Sequence, residues 1–403
     1  MHSKNKTIHY MLINMAYFAA YSGVHAYVSV FLLDRGFSNT SIGILLALAN
    51  ILSVIFQPIS AGWIDKYEKF TNRKVSMVCA LICAIACMAL CVTKSIALIF
   101  IIYVILYTLQ MVYQPLIQAM YFEYEKMGAK INFGLCRGLG SCGFAITSFF
   151  TGRLIVSMGV SVTLIINIAT FLAGLLALAT FLMPEAEENV KISADAEAAA
   201  DADIDDVAHN SLIEFIKCYP LVMIFVLGGT CLFFCHNALN DYLIQIITPL
   251  GGNESTMGSM VMVAALLELP AMATFTMLEK KIGLKTILIL SAVMFTVKSL
   301  LMWVAPNIVV AYISQACQIF AYALFIPGGA YLAEKAMGRK DKTKGQAYIS
   351  CAITLGGVFS ALVCGRVLDV AGVNIMLAVT TIVGAIGTVI AVGALLKMNL
   401  GAK

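Results

Sequence analysis

The sequence predicts an all-α membrane protein: twelve transmembrane helices in two pseudo-symmetric six-helix bundles, with the N- and C-termini in the cytoplasm. Three observations carry this expectation. The chain is 61% hydrophobic and 12% charged, against roughly 25% charged in soluble domains. Its mean hydropathy of +0.92 leaves too little polar surface to cover a water-soluble fold. The chain also says the same thing twice: Thr151-Gly152-Arg153-Leu154 with Gly159-Val160 returns as Cys364-Gly365-Arg366-Val367 with Gly372-Val373. At nearly the same offset Pro115 matches Pro327, Ser41-Ile42-Gly43 matches Thr256-Met257-Gly258, and Val24-His25-Ala26 matches Cys235-His236-Asn237. Two parallel membrane-spanning halves imply a pathway where they meet.

A helix needs about 20 apolar residues to cross a bilayer. Runs of that length predict spans at roughly 8–33, 41–64, 75–93, 96–120, 133–157 and 161–183 in the first half. The second half has them at roughly 213–247, 256–278, 286–305, 308–333, 346–368 and 373–396. The first run lacks a small-residue cleavage site and reads as a retained span, not a signal peptide. Charge and turn residues separate the runs, as at Asp34-Arg35-Gly36 and Pro249-Leu250-Gly251-Gly252. Residues 1–183 thus form the first bundle and 212–403 the second. Between them, 184–211 is Ala/Asp/Glu-rich with little to bury and reads as an acidic, solvated cytoplasmic linker.

Basic residues orient the chain. With the N-terminus inside, twenty of the 26 lysines and arginines lie in cytoplasmic segments. Only Arg35, Lys94, Arg153 and Arg366 lie opposite, while Arg137 and Lys298 fall within spans. This asymmetry is the signature of cytoplasmic termini. The implied location is the cell (inner) membrane.

Four of the twelve cysteines, Cys79, Cys83, Cys87 and Cys91, repeat every fourth residue in one apolar run. A metal site would need a ligand cluster with supporting partners; small residues that let helices approach closely in lipid account for the spacing without one. No metal and no cofactor are expected.

Charges at mid-bilayer are costly, about 2.5–3.5 kcal/mol on insertion scales, so they face a cavity or a partner. Glu268 on span eight and Lys298 on span nine are such residues. Either they neutralise one another as a fixed pair, or Glu268 gains and loses a proton in two environments, with Lys298 tuning it. Arg137 lies early in span five. His25 and His236 occupy matching repeat positions on spans one and seven, and Asn240 shares a face with His236. Span four carries Gln110, Gln114 and Gln118; span ten carries Gln315, Gln318 and Tyr322. Such amides serve either as glue between helices or as a polar lining, and Gln118 and Gln318 are read as lining.

These motifs resemble the major facilitator superfamily over essentially the whole chain, in the branch that holds lactose permease and the nucleoside:proton symporters. Phe56-Gln57-Pro58, Ala61-Gly62, Asp65-Lys66 and Arg73-Lys74 resemble the loop between spans two and three that latches the cytoplasmic side. Asp65, Lys66 and Arg73 are the implied gating residues, although the stretch between Asp65 and Arg73 is longer than usual. Arg137-Gly138-Leu139-Gly140-Ser141-Cys142-Gly143-Phe144 resembles the branch's span-five motif, which places Arg137, Ser141 and Phe144 in a substrate site. Leu267-Glu268-Leu269-Pro270 resembles its span-eight segment. The chain departs from lactose permease at Phe144, where the permease has a stacking tryptophan, and at Gln118, where it has a glutamate. Its proton-handling pair on span ten falls on Gln318 and Ala321, and its span-nine arginine on Lys298. The spacing of Arg137, Ser141, Phe144 and Glu268 is closer to that of the nucleoside:proton symporters.

The expected function is therefore secondary transport, proton-coupled symport of a small polar solute, saccharide or nucleoside. Glu268 and Lys298 would carry the coupling. His25, Gln118, Arg137, Ser141, Phe144, His236, Asn240, Gln318 and Tyr322 would contact the solute. The alternative is proton antiport of amphipathic compounds, which favours an apolar cavity over amide-lined spans. No nucleotide loop or nucleophile–base constellation points to an enzyme. The expected partners are the solute, a proton and the bilayer, with no nucleic acid and a monomeric state.

Overall fold

The computed structural model describes residues 2–67, 69–126, 131, 133–182, 212–338 and 341–400. The predicted linker lies outside the described residues. The first half contains α1 (His2–Tyr21), a π-turn (Ser22–Ala26), α2 (Val28–Asp34), α3 (Asn39–Lys66), α4 (Asn72–Val92), α5 (Ile96–Lys126), α6 (Phe133–Met158) and α7 (Val162–Thr180). The second contains α8 (Leu212–Cys218), α9 (Pro220–Asp241), α10 (Leu243–Ile247), α11 (Glu254–Ala273), α12 (Phe275–Ile282), α13 (Leu284–Trp303), α14 (Ile308–Ala316), α15 (Tyr322–Ala336) and α16 (Lys342–Lys397).

Among the described residues ten stretches are long and apolar enough to cross a membrane, or eleven if the bent pair Lys6–Ala26 and Val28–Asp34, which meet at 49°, is one span. One of the ten, Lys344–Lys397, runs 54 residues, more than twice the length a bilayer requires. It is interrupted at Gly372, whose φ of 79° is non-helical and costs a residue without a Cβ little. Prolines occur inside α3 (Pro58), α5 (Pro115), α11 (Pro270) and α15 (Pro327). Pro58 and Pro270 are thus a second repeat-related pair beside Pro115 and Pro327. Prolines survive here because neighbouring helices and side chains satisfy the freed backbone groups.

Two predicted spans are not continuous. The seventh divides into α8, α9 and α10 around Tyr219 and Tyr242. The tenth is broken by a 3-10 turn, Cys317–Ile319, between α14 and α15. Periodicity over the apolar run cannot register such a break, because both halves keep the same apolar composition.

The chain forms two compact units, each drawing on several separate stretches. One comprises Met1–Val24, Leu52–Thr147 and Thr163–Val207; the other comprises His25–Ile51, Ser148–Val162 and Ala208–Lys403. In the first, α4 lies along α5, with Cys79, Cys83 and Cys87 buried and Cys91 exposed. The Cys83 thiol points at the Leu106 carbonyl oxygen, 3.8 Å away, the close helix packing that small residues allow. Tyr124 stacks on Phe181 at 4.3 Å between ring centres.

In the second unit the core is aromatic, with Phe225 stacked on Phe325 and Phe233 set edgewise against Phe325. Hydroxyls join α13 to the last part of α16: Thr296 meets Thr388 at 2.8 Å and Ser299 meets Thr381 at 3.0 Å. The Trp303 indole donates to Asn374. The contacts step about one turn at a time along α13 and about two along α16, which run antiparallel, and each gives a polar group in an apolar setting its partner.

The same unit contains a repeated close approach. The Tyr242 hydroxyl donates to the Ala361 carbonyl at 2.9 Å, and the Tyr27 hydroxyl donates to the Ser148 carbonyl at 2.5 Å. A Cβ on Gly43 would collide with the Ala361 carbonyl; one on its repeat mate Gly258 would collide with the Ser148 carbonyl. Helix α3 therefore crosses the end of α16's first stretch, and α11 crosses α6, at backbone contact. Asp369 fastens the first crossing by accepting from the Asn39 and Thr40 backbone N–H groups at 3.1 and 2.7 Å and from both their side chains. It caps the start of α3 from another helix, where a carboxylate also complements the helix dipole.

Candidate functional site

The break between α14 and α15 positions a polar cluster that includes both Glu268 and Lys298. Ala321, at the start of α15, has φ −83° and ψ −89°, outside helical values. The carbonyls near the break are satisfied laterally. Ser291 donates to the Ala321 carbonyl at 2.7 Å, and Ser314 donates to the Lys298 carbonyl at 2.7 Å. Non-helical backbone at membrane depth is tolerated only where protein buries it or a cavity meets it.

Gln318 sits in that turn and connects the two intramembrane charges. Lys298 is 1% exposed, and its ammonium donates to Gln318 Oε1 at 2.6 Å. Gln318 Nε2 in turn donates to Glu268 Oε1 at 2.8 Å. Two helices, α11 and α13, and the α14–α15 turn supply one residue each. The amide uses its acceptor on the cation and a donor on the anion, the only pairing its chemistry permits. Both bonds are charge-assisted and stronger than bonds between neutral groups.

His236, on α9, forms a second group in the same unit. Its ring stacks on Tyr322 with centres 4.7 Å apart and 13° between planes, and its Nε2 lies 3.0 Å from the Asn240 amide nitrogen. Phe233 and Phe295 meet the ring edgewise. His236 and Asn240, which the sequence places on one helical face, thus meet, and Tyr322 of α15 stacks against the imidazole. His25 is buried within the π-turn of the first span, a distortion that recurs at functional sites.

The span-five motif forms a third group, in the first unit. The Arg137 guanidinium donates to Ser141 at 3.0 Å, one turn along α6, and lies over the Phe18 ring at 4.2 Å. The stack is close because Gly140 brings α6 against Phe18 and Asn14. Phe144 tilts toward Tyr21 at 6.0 Å, and Tyr17 continues the aromatic wall. A planar cation flanked by a hydroxyl and by rings suits a ligand with a flat apolar face and hydroxyl groups. Gln118 is half-buried on α5, while Gln110 on the same helix is fully buried.

Of the proposed latch, Arg73 donates to the Leu178 and Ala179 carbonyls near the end of α7, at 3.2 Å each. A cation there also offsets the helix dipole. Lys66 is exposed and lies over the Tyr67 ring. The Asp65 side chain lies outside the described residues.

Several contributors escaped sequence reasoning. Phe18, which carries Arg137, is one aromatic among many on span one. Ser291 and Ser314 become recognisable only once the break they support is known. Tyr27 and Tyr242 carried a detectable signal, since they are repeat-related tyrosines at the ends of the matched histidine helices.

The MFS_1 like family model matches residues 7–378. An uncharacterized transporter, YwbF, of Bacillus subtilis (strain 168) is 22% identical over 374 residues, covering 92% of this chain and 89% of that protein. Among solved structures, the nucleoside transporter NupG superposes with a TM-score of 0.74 at 16% identity, covering 98% of this chain and all of that one. A D-xylose-proton symporter superposes with a TM-score of 0.71 at 15% identity, covering 96% of both. At such identities the two superpositions establish the fold alone. The match over nearly the whole length, with this fold, places the chain in the MFS_1 like family, as a multi-pass membrane transporter of the major facilitator type.

Proposed function

We propose that this transporter couples inward proton movement to uptake of a small polar solute, a saccharide or a nucleoside, by alternating access. The observation that carries the reading is the Lys298–Gln318–Glu268 chain, whose middle member sits in the break of a membrane helix. Glu268 takes up a proton on one side and releases it on the other, with Lys298 favouring the ionised state through the amide. The membrane potential contributes about 2.3 kcal/mol per charge per 100 mV, which is enough to concentrate a neutral solute. Arg137, Ser141, Phe144, His236, Asn240, Gln318, Tyr322, His25 and Gln118 are the solute-contacting residues of this reading.

This reading takes α16 as two spans divided at Gly372 and the α14–α15 pair as one. The twelve spans then form halves 1–183 and 212–403, with both termini and the 184–211 linker in the cytoplasm of a cell whose inner membrane holds a monomer. The crossings at Gly43 and Gly258 then lie on the outer face and close it, and Asp65, Lys66 and Arg73 act on the cytoplasmic side.

Purified protein in proteoliposomes tests the proposal. Adding nucleosides or sugars outside should alkalinise the external medium with one class, and an imposed inward proton gradient should drive accumulation of that class. If no member of either class moves protons while amphipathic cations are exchanged against them, the antiport reading replaces this one.

A further inference from the structure

Outside these groups, a groove of about 480 Å³ runs between α1, α6 and α7 in the first unit. Its walls are small: Ala16 and Ala19 from α1, Gly143 from α6, and Ala173 from α7. Gly143 lets α6 lie directly on the Met15 backbone, so the slot is built by residue size and not by splayed helices. Leu12 and Leu176, which also line it, are 48% and 67% exposed. Its polar lining is His9, Thr147 and Thr180, and His9 and Thr180 pair with each other at 2.8 Å. On α1 the lining runs from His9 to Ala19, about 15 Å at the helical rise, which is half of a hydrocarbon core about 30 Å thick.

The His9 end carries positive charge. Lys6 lies one turn before His9, with its ammonium over the Phe181 and Tyr124 rings and donating to the Leu182 carbonyl at 2.6 Å. His9 contacts Phe181 edge-on. Lys6 has no carboxylate partner among the described residues, and an ammonium keeps further donors after one bond.

We infer that this groove is a lipid site: one acyl chain of an anionic phospholipid lies along Ala16, Ala19, Gly143 and Ala173, and its phosphate meets Lys6 and His9. A chain reaching from the headgroup level to mid-bilayer matches the groove's length, and the one charged end selects the headgroup's sign. With the topology proposed above, the lipid belongs to the cytoplasmic leaflet. Its binding braces the pairing of α1 with α7, since Lys6, His9 and Thr180 join exactly those two helix ends.

The test uses the full chain in vesicles containing a small fraction of brominated lipid. Leu176→Trp places an indole on the rim beside the native Trp63 and Trp303 background. Brominated phosphatidylglycerol should quench the new indole more strongly than brominated phosphatidylcholine at equal fraction. Adding Lys6→Gln should reduce that preference roughly fivefold, the worth of about one cation near a membrane surface. Ala173→Phe in the Leu176→Trp background should abolish it by filling the slot. Equal quenching by the two lipids in Leu176→Trp alone, or an undiminished preference in Ala173→Phe, overturns the inference. Neither readout needs solute or a proton gradient, so the lipid site and the transport proposal fail independently.

Discussion

Tyr27 and Tyr242, one repeat apart, make the same hydrogen bond, each to a backbone carbonyl at a helix crossing, Ser148 and Ala361. Each hydroxyl also stands beside a glycine whose partner helix passes at backbone distance, Gly258 for Tyr27 and Gly43 for Tyr242. The pseudo-symmetry detected in sequence as scattered matches thus becomes two copies of one contact. Replacing either tyrosine by Phe removes a buried bond of about 1 kcal/mol. Both replacements together should loosen both crossings, raising alkylation of a cysteine placed at Asn39 while lowering the melting temperature by a few degrees. Unchanged alkylation in the double variant would show that the crossings do not depend on the hydroxyls.

Gly43→Val should act more strongly than Tyr242→Phe, because the new side chain meets the Ala361 backbone oxygen and cannot be accommodated by rotation. Overpacking of this kind costs about 1–3 kcal/mol. The expected readout is persistent accessibility of that same cysteine, even with solute present.

Asp369→Ala should cost about 0.5–2 kcal/mol through loss of the cap on α3, while Asp369→Asn keeps an acceptor and should cost less. Thermal unfolding of the purified protein separates the two. Equal destabilisation by both would mean that charge, and not hydrogen bonding, holds the helix start.

Glu268→Gln should abolish accumulation of solute against its gradient while leaving solute exchange within about tenfold of the parent. Proton uptake on solute addition should disappear at the same time. A Glu268→Gln protein that still accumulates solute would remove Glu268 from the coupling role.

Gln318→Leu should be worse for stability than Glu268→Gln, because it strands the buried Lys298 ammonium without its acceptor, a loss of about 1.5–3 kcal/mol for a bond to a charged group. Combining it with Lys298→Met should recover the part of the loss in melting temperature due to the stranded ammonium, leaving only the donor that Glu268 has lost. Failure of that rescue would indicate that Gln318 acts on α14–α15 geometry and not on Lys298.

The fold class was readable because its causes are compositional. Apolar length specifies a membrane helix regardless of what packs against it, and the repeat is visible residue by residue. Glu268, Lys298, Arg137 and Gln318 were readable because lipid does not tolerate them unpartnered. The order of their contacts was not, since Gln318 lies between the charges only because α14 ends before it. That ending depends on Ser291 of α13 donating to the Ala321 carbonyl and Ser314 of α14 donating to the Lys298 carbonyl, a tertiary event with no local mark. The division into compact units was equally hidden, because it follows the crossings at Gly43 and Gly258 and not the boundaries between apolar runs.

Placing a carboxamide between an ammonium and a carboxylate has an effect that contact between the two would not. Touching opposite charges in a low-dielectric interior form a trap that is hard to discharge. The intervening Gln318 cannot itself ionise, keeps the charges one side chain apart, and holds each by a single bond. Neutralising Glu268 then takes the charge assistance from only one of those bonds and leaves Lys298 held by the other. The spacer makes the acid dischargeable without releasing its counter-ion, so one end of the chain can cycle while the other stays anchored.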